Sequence, residues 1–492
     1  MFGHAARTRR FIFATSAICL AGSCSGDRVV IGARYQASTD GGSGSLIQGC
    51  PSLSGAPSGV APLPTPKQAA LQRLEIAAYL HFGVSAFDTG ATPPASLFNP
   101  TDLDVAEWVS EMKNAGFRQA ILVVKNRTGF CLWPSAHTDY SVKNSPWKNG
   151  KGDVVREFTD AMHAAGMRVA FQFAPADDSY PSSSAGYETY FRNQLSELLT
   201  NYGSVYEIEL PGDSGHIPVD WAGVADLAHK LQPDLVVWIG PELATTGVDA
   251  RFVGSLSGVS DRSTSSIANV PNGGPSNVWY PAEGEVSAHT LNGVNAWFWG
   301  PSDSVISLGM LQSDYFNTAG RNTTLVVNFP PARTGQFDAV EVDLLRQFGP
   351  WYTAFDKNNL VQGASVTADT TWENPGFEAA KAADGDVCTY WAAATGKTSG
   401  RLEATLSSTV PFKVISIREP IELGERTTAY HVEIKQNGSW NKTPTDASGV
   451  TMAGTVIGQR QLWQVNSTTA DAIALVIDSA KAAPAIAEFG VY

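Results

Sequence analysis

Short apolar runs alternate with helical periodicity through roughly the first 350 residues. The run Gln119–Lys125 is apolar almost throughout, which is typical of a strand covered on both faces. Before it, Val105, Trp108, Val109 and Met112 recur at the spacing of one helix face. Strands and helices that alternate at this spacing predict an α/β fold of the (β/α)8-type, TIM-like barrel. The same pattern predicts strands at Glu75–Gly83, Arg168–Phe173, Val205–Leu210, Leu235–Gly240, Val278–Tyr280, Ala296–Trp299 and Thr324–Phe329, and helices at Val154–Ala165, Tyr187–Thr200, Trp221–Leu231, Ile306–Phe316 and Ala339–Phe348.

The pattern changes after Trp351. From Leu360 to Tyr492, runs rich in Thr, Ser and Val are separated by polar turns, and helical periodicity is lost, which predicts an antiparallel β-sandwich. A doubly wound sheet is the alternative for the first part, but neither a GxGxxG nor a Walker loop supports it. The predicted domains are a signal peptide (1–23), a Gly/Ser/Pro-rich linker (24–68), a barrel (69–357) and a sandwich (358–492).

The N-terminus has the order of a secretory signal. Three arginines precede the apolar run Phe11–Leu20, which is too short to span a bilayer, and small residues follow it. Cys24 leaves a lipidated envelope protein open as the alternative to simple secretion. Residues 37–66 are rich in Gly, Ser and Pro and predict a tether. The sequence therefore predicts a secreted or cell-envelope protein without a transmembrane span.

Composition and charge narrow the classes of partner. A formal net charge of −13 and a pI near 5.1 argue against nucleic acid and anionic membranes, which require clustered cations. Neutral ligands such as sugars remain open, and 13 Trp and 14 Tyr suit them. The five cysteines have no CxxC spacing, so free buried thiols are the default, with one disulfide as an alternative. The histidines show no metal-ligand spacing.

Several motifs carry more information than periodicity. They are Leu97-Phe-Asn-Pro-Thr-Asp, Gly129-Phe-Cys-Leu-Trp-Pro-Ser, the run Gln194–Gly203, Pro281-Ala-Glu and Gly320-Arg-Asn-Thr-Thr-Leu-Val-Val-Asn-Phe-Pro-Pro. Together they resemble the α-L-fucosidases of glycoside hydrolase family 29. The C-terminal part, with Ala383-Asp-Gly-Asp and Gly458-Gln-Arg-Gln-Leu, is similar to the discoidin-like, galactose-binding sandwich that such enzymes often carry. The resemblance implies a barrel, a fucosylated glycan as partner, a retaining mechanism, and neither metal nor cofactor.

The resemblance also places the two catalytic carboxylates, which retaining glycosidases hold about 5–5.5 Å apart. Family members end the fourth strand with Trp-Phe/Leu-Asp-Gly, whose Asp is the nucleophile; here Glu209-Leu-Pro-Gly stands in that place, so Pro211 occupies the nucleophile position. The family's acid/base Glu closes a Val-Gly-Asn-Glu run, and the matching residue here is Leu256. Neither proline nor leucine can perform these roles.

Two acids flank Pro211 and are the candidate relocated catalytic residues, Glu209 and Asp213. Side chains alternate along a strand, so Glu207, Glu209 and Pro211 share a face. The simpler interpretation is favoured for both candidates: Glu209 as a buried carboxylate paired with Lys125 or Arg127, and Asp213 as a turn residue.

The resemblance assigns substrate binding to His81, Trp133, Glu283 and Trp297, whereas the family's Lys-His-His-Asp-Gly is changed to Lys125-Asn-Arg-Thr-Gly. Three functions then compete. They are a glycosidase for α-L-fucosides or a related sugar with relocated carboxylates, a catalytically inactive glycan-binding pseudoenzyme, and an envelope scaffold that uses the sandwich for protein contacts.

Overall fold

The first domain is a barrel of eight parallel strands. The computed structural model describes residues 49–180, 183–212, 219–254, 257–406 and 410–492. The strands pair in the order β5-β4-β3-β2-β1-β8-β7-β6, and a parallel bridge between Trp238 and Ala250 brings β5 beside β6, so that the barrel is nearly closed. The barrel strands are β1 (Ile76–Leu80), β2 (Gln119–Lys125), β3 (Arg168–Phe173), β4 (Glu207–Leu210), β5 (Val236–Ile239), β6 (Arg251–Phe252), β7 (Ala282–Ser287) and β8 (Thr323–Asn328).

Helices cover the outside of the barrel. Asp104, Asp153 and Asp220 cap three of them, because each side chain accepts a hydrogen bond from a backbone N–H of the first turn. None of the described helices is long and apolar enough to cross a membrane. The helices are α1 (Pro66–Gln72), α2 (Val105–Asn114), α3 (Val154–Ala164), α4 (Tyr187–Asn201), α5 (Trp221–Leu231), α6 (Leu308–Asn317) and α7 (Ala339–Phe355).

The strand prediction is confirmed for β1 to β5 and β8, and is wrong between β5 and α6. The predicted strand Val278–Tyr280 is a short Val278–Trp279 strand that pairs with Ile267–Ala268 outside the barrel. The predicted strand Ala296–Trp299 is a loop that follows the short strand Val294–Asn295. The barrel strands of this region are β6, with two residues, and β7, whose two glutamates hide the apolar pattern of a buried strand.

The second domain is an antiparallel β-sandwich, as predicted. Trp391 and Trp463 are fully buried in its core, together with the inward-facing aliphatic residues of its longer strands. Its strands are Val366–Ala368, Trp391–Ala392, Gly400–Thr405, Phe412–Arg418, Thr427–Gln436, Ser439–Asn441, Ala453–Gly454, Gln461–Thr468, Ala472–Ala480, Ala485–Ile486 and Glu488–Val491.

The sandwich docks on the end of the barrel where the strands begin. Glu75, one residue before β1, receives Arg418 at 2.5 Å and Arg460 at 2.8 Å, and Arg460 also bonds Asp356 after α7. Asn322, one residue before β8, accepts a hydrogen bond from the backbone N–H of Gln459 at 2.7 Å. Parallel barrels place their chemistry at the opposite end, where the strands finish. The described sandwich therefore lies away from the barrel mouth.

A disulfide links the N-terminal segment to the sandwich. Cys50 and Cys388 are bonded across 338 residues of sequence, whereas Cys131 is free and buried. The default expectation of free thiols is therefore wrong for the first two and confirmed for Cys131. Cys24 and the predicted signal peptide lie outside the described residues.

Candidate functional site

His81 follows β1 at the mouth of the barrel and is held by Asn328, the last residue of β8. Its Nδ1 lies 2.9 Å from the Asn328 Oδ1, while the Asn328 Nδ2 donates to the backbone oxygen of Trp297 and to Ser287 Oγ, each at 2.9 Å. These two bonds fix the orientation of the amide, so the His81 Nδ1 is the donor and Nε2 is left as an acceptor. Burial lowers the pKa of His81 to about 4. The imidazole is therefore neutral at physiological pH and suited to accept a hydroxyl proton.

Two aromatic rings pack against His81. The centroid of the Trp297 ring lies 5.2 Å from that of the imidazole, and the Phe298 ring lies at 5.3 Å and perpendicular to it. The next residue, Trp299, points elsewhere, because its indole N–H donates to Asp338 at 2.6 Å. His81 and Trp297, two of the predicted substrate-binding residues, are thus brought together at the mouth.

A pocket of about 310 Å³ opens beside these rings. Arg127 and Asp178 form an ion pair on its wall, with 3.2 Å between Nε and Oδ1. Asn126 donates to Ser85 Oγ at 3.0 Å, and Phe298 contributes an aromatic side. The volume lies at the lower end of the range for small-molecule sites. Residues Ser85, Thr89, Gly90, Ala91, Asn126, Arg127, Thr128, Asp178 and Phe298 line it.

The end of β4 carries no acid at the nucleophile position. Pro211 follows Leu210, whose carbonyl accepts the backbone N–H of Gly240 at 2.9 Å. The chains come so close here that a Cβ on Gly240 would collide with the backbone of Gly212. A Cβ on Gly212 would in turn collide with the Glu242 carboxylate, which therefore lies directly against the residue after Pro211. Asp213 and Leu256 lie outside the described residues.

Glu209, the other relocated candidate, lies inside the barrel and is only 2 % exposed. Its Oε2 accepts a hydrogen bond from the Tyr79 hydroxyl at 2.7 Å. The predicted pairing with Lys125 or Arg127 is wrong, because Lys125 is buried against Asp177 at 3.1 Å and Arg127 reaches outward to Asp178. Strand alternation accounts for the burial of Glu209, since it turns the same way as Glu207 into the barrel.

Four glutamates share the barrel interior. Glu207 and Glu209 project from β4, and Glu283 and Glu285 from β7. Burial, followed by mutual repulsion, raises the pKa of Glu209 and of Glu283 well above the usual value for glutamate. Burial likewise raises the pKa of Glu207 and of Glu285 to about 7. Without a compensating positive charge, Glu209 and Glu283 hold protons at neutral pH.

The other two predicted substrate-binding residues, Glu283 and Trp133, lie in different parts of the barrel domain. Glu283, 2 % exposed, belongs to the interior cluster with Glu209 and does not line the pocket. Trp133 is also 2 % exposed, and its indole N–H donates to Glu197 of α4 at 2.8 Å. The structure therefore brings Glu283 to Glu209 and His81 to Trp297, whereas Trp133 packs between the barrel and α4.

Sequence reasoning missed the residues that organise the mouth. Asn328 holds both the His81 ring and the Trp297 backbone in place. A polar amide at the end of a mostly apolar strand could have indicated this role in the sequence. The Arg127–Asp178 pair joins the ends of β2 and β3, which are neighbouring strands. Because such ends meet at the barrel mouth, a charged residue after each is a second signal.

The titration of His81 predicts a loss of stability in acid. The unfolded chain binds a proton near pH 6.5, but the folded protein binds it only near pH 4. The free energy of unfolding therefore falls by about 3 kcal/mol as the pH is lowered from 6.5 to 4. Below pH 4, His81 is protonated in both states and causes no further loss. Urea unfolding at pH 7 and pH 4.5 should show a larger acid loss in the wild type than in His81→Gln. Equal losses in the two proteins would contradict the assignment.

Comparison with known proteins gives the family that the sequence motifs indicated. Residues 78–357 match the model "Alpha-L-fucosidase", and residues 365–489 match "F5/8 type C domain". Alpha-L-fucosidase 1 of Arabidopsis thaliana is 31% identical over 466 residues, which cover 89% of this chain and 88% of the relative.

Solved structures agree with the sequence matches. A putative α-L-fucosidase from Bacteroides thetaiotaomicron is 29% identical with a TM-score of 0.78, covering 89% of this chain and 99% of its own. The Ruminococcus gnavus GH29 fucosidase in complex with fucose is 26% identical with a TM-score of 0.78, covering 91% of this chain and 97% of its own. The chain therefore belongs to the α-L-fucosidase family, glycoside hydrolase family 29, and carries an F5/8 type C domain at its C-terminal end.

Proposed function

We propose that this chain is an exported glycan-binding member of its family, which recognises a terminal α-L-fucose or a related sugar at the barrel mouth without the family's double displacement. The observation that carries the proposal is a contrast at the mouth. A monosaccharide-sized pocket with Phe298, Arg127 and Asp178 lies beside His81, whereas Pro211 ends the strand that must supply the nucleophile.

The chemistry of the pocket suits a sugar. An aromatic face stacks on the apolar side of a pyranose ring, and the planar Arg127 and Asp178 groups offer donors and acceptors to its hydroxyls. Neutral His81 adds an acceptor at Nε2. The fucose complex of the Ruminococcus gnavus relative, which covers almost the same length of chain, supports fucose as the first sugar to test.

The absence of standard turnover rests on accessibility. A nucleophile must touch the anomeric carbon, and Glu209 is buried beneath the mouth with its carboxyl group bonded to Tyr79. The acid/base position, Leu256, has no ionisable group. Misplacement of a catalytic group by 1 Å can already cost about 10²-fold in rate.

One observation favours hydrolysis by relocated carboxylates as the second candidate. The Glu242 carboxylate lies against Gly212, directly after the nucleophile position that Pro211 occupies, and its side chain is exposed at the mouth. Asp213 is the further acid in this stretch of sequence. A retaining enzyme of this kind would use two of these carboxylates about 5–5.5 Å apart.

Export is part of the proposal. The N-terminal signal pattern supports it, and so does the Cys50–Cys388 disulfide, since disulfides persist mainly in oxidising compartments. Cys24 remains the candidate attachment site for a lipid anchor, the alternative to free secretion.

Calorimetric titration with L-fucose tests the binding function. We expect saturable binding, weakened at least about tenfold in Arg127→Met, because a hydrogen bond to a charged group contributes about 1.5–3 kcal/mol. Arg156→Met is the matched control, since Arg156 is an exposed arginine of α3 that pairs with Asp160 away from the pocket. An affinity unchanged in Arg127→Met, or no binding of fucose, galactose or their methyl glycosides, would overturn the proposal.

An assay on an aryl α-L-fucoside separates the two candidates. We expect no release of the aryl group above that of buffer. Turnover that is lost in Glu242→Gln or Asp213→Asn would establish the relocated-carboxylate enzyme instead. Turnover that neither substitution affects would exclude Glu242 and Asp213 as catalytic carboxylates and would leave Glu209 as the candidate.

A further inference from the structure

The interior of the barrel gathers carboxylates in a way that the sugar pocket does not explain. Oxygen atoms of Glu207, Glu209 and Glu283 all lie within 4.8 Å of one another, and all three residues are buried. By the resemblance, Glu209 stands where the family motif has tryptophan, and its carboxylate completes the group.

Two neutral side chains next to members of this cluster carry oxygens without partners among the described residues. The Gln119 Nε2 donates to Glu207 Oε2 at 2.6 Å, which fixes that side chain toward the cluster, yet Gln119 Oε1 has no hydrogen-bond partner in the described chain and the residue is fully buried. Thr324, the register neighbour of Glu283 on β8, is 2 % exposed, and its Oγ1 is likewise unpartnered within the described ranges. No amide, hydroxyl or cationic donor of the described residues bonds either oxygen of Glu283, whose close polar contact is the Glu207 carboxyl group. Buried polar oxygens normally have a bonding partner, so several unpartnered ones in one place indicate a ligand that accepts their lone pairs.

Positive charge from the described residues does not balance the cluster. Arg168 acts on Glu207 from the start of β3, but its guanidinium also donates to the Ala70 carbonyl and stacks on Tyr206. Lys125 is committed to Asp177. The cluster and Glu285 together hold four carboxyl groups. These groups must be neutralised by protons or by a bound cation, because burying an uncompensated charge costs much free energy.

We propose that Glu207, Glu209 and Glu283 bind one divalent, oxygen-preferring metal ion inside the barrel, with Gln119 and Thr324 as neutral oxygen donors. Carboxylate, amide and hydroxyl oxygens are the donor set of Ca²⁺, Mg²⁺ and Mn²⁺ and contain no soft ligand. Three oxygens separated by the full 4.8 Å have their common centre about 2.8 Å from each, so small side-chain shifts would bring all three within the Ca²⁺–oxygen distance of roughly 2.3–2.6 Å.

The ion is a structural one. It lies beneath the mouth and is connected to it through Tyr79, which bonds Glu209 and whose ring lies 4.6 Å from that of His81. Loading accompanies folding, because the cluster is fully buried in the folded, described part of the chain. The competing arrangement is a cluster held together by shared protons, which binds no metal.

Elemental analysis and refolding distinguish these arrangements. The full chain is purified without chelator and its metal content measured by mass spectrometry; about one divalent ion per chain is expected. The protein is then unfolded with EDTA and refolded with CaCl₂, MgCl₂ or MnCl₂ alone. At least one salt should raise the melting temperature by about 5 °C over the EDTA sample, and the electron paramagnetic resonance of refolded Mn²⁺ samples should report a bound, oxygen-ligated ion. No metal and identical melting temperatures would overturn the proposal.

Variants locate the site. Glu283→Gln should lose the bound ion and make the melting temperature independent of added metal. Glu341→Gln, which alters an equally buried glutamate of α7 facing His289, should keep the ion. Retention of the ion by Glu283→Gln would place it elsewhere and overturn the assignment. If Glu283→Gln does not fold, the wild-type metal content and the refolding series decide.

Discussion

Replacing Arg460 with methionine is expected to lower the free energy of unfolding by about 3–5 kcal/mol. Arg460 is fully buried between the domains, where it bonds Glu75 at 2.8 Å, the Tyr315 hydroxyl at 2.8 Å and Asp356. Its removal leaves Arg418 facing three acids, Glu75, Asp356 and Glu488, in a buried interface. The cost is large because it includes the poorly compensated carboxylates and not only the lost bonds.

Urea unfolding followed by tryptophan fluorescence measures this loss. Arg346→Met is the matched control, because Arg346 also makes a two-pronged bridge, to Glu111, but its side chain is 67% exposed. An exposed pair is screened by solvent and contributes little to stability, so this variant should unfold almost like the wild type. If the two variants were equally destabilised, the interdomain cluster would have no special role in joining barrel and sandwich.

The same network shows why the sequence could not predict the domain arrangement. Arg418 and Arg460 are separated from Glu75 by more than 340 residues, and no local pattern marks them as partners. Glu75 also adopts a φ of 60°, which is unusual for a residue with a side chain and is stabilised here by two arginines. Such conformations follow from tertiary contacts and not from propensity.

The fold was predictable wherever strands are buried on both faces. β2 and β8 are continuous apolar runs because helices cover one side and the barrel interior the other. The pattern did not predict β7, because Glu283 and Glu285 point into a barrel interior that holds polar groups. The aromatic run Ala296–Trp299 was wrongly predicted to be a strand, because its rings pack at the barrel mouth from a loop.

The sequence indicated some of the neighbours at the mouth and missed others. His81 and Trp297, which the resemblance assigned to one site, lie side by side, and their role in substrate binding stays a prediction. The partner of Glu209 could not be predicted, because the contact with Tyr79 crosses the barrel interior from β1 to β4. Pairings of this kind depend on register and side-chain rotamer, which a single sequence does not contain.

Replacing Pro211 with aspartate is expected to create turnover of an aryl α-L-fucoside at least about 10²-fold above the rate in buffer. A carboxylate nucleophile splits one difficult displacement into two easier ones, and a placement error of 1 Å would cost only about 10²-fold of that gain. The resemblance places the family's nucleophile at this position and its acid/base at Leu256, and an aryl leaving group departs without the proton that a leucine cannot donate. The introduced carboxylate would also lie near the Glu242 carboxylate beside Gly212, a second acid in reach of the departing group.

Release of the aryl group, with mass spectrometry of a trapped fucosyl-protein adduct, measures the gain in the Pro211→Asp variant. Pro211→Asn is the matched control, because it has nearly the same shape and restores the same backbone N–H without a carboxylate, and it should remain inactive. A natural alkyl fucoside should gain far less than the aryl substrate, since its leaving group needs an acid. If Pro211→Asp binds fucose normally and yet releases no aryl group, the sugar lies in this pocket with its anomeric carbon turned away from the end of β4.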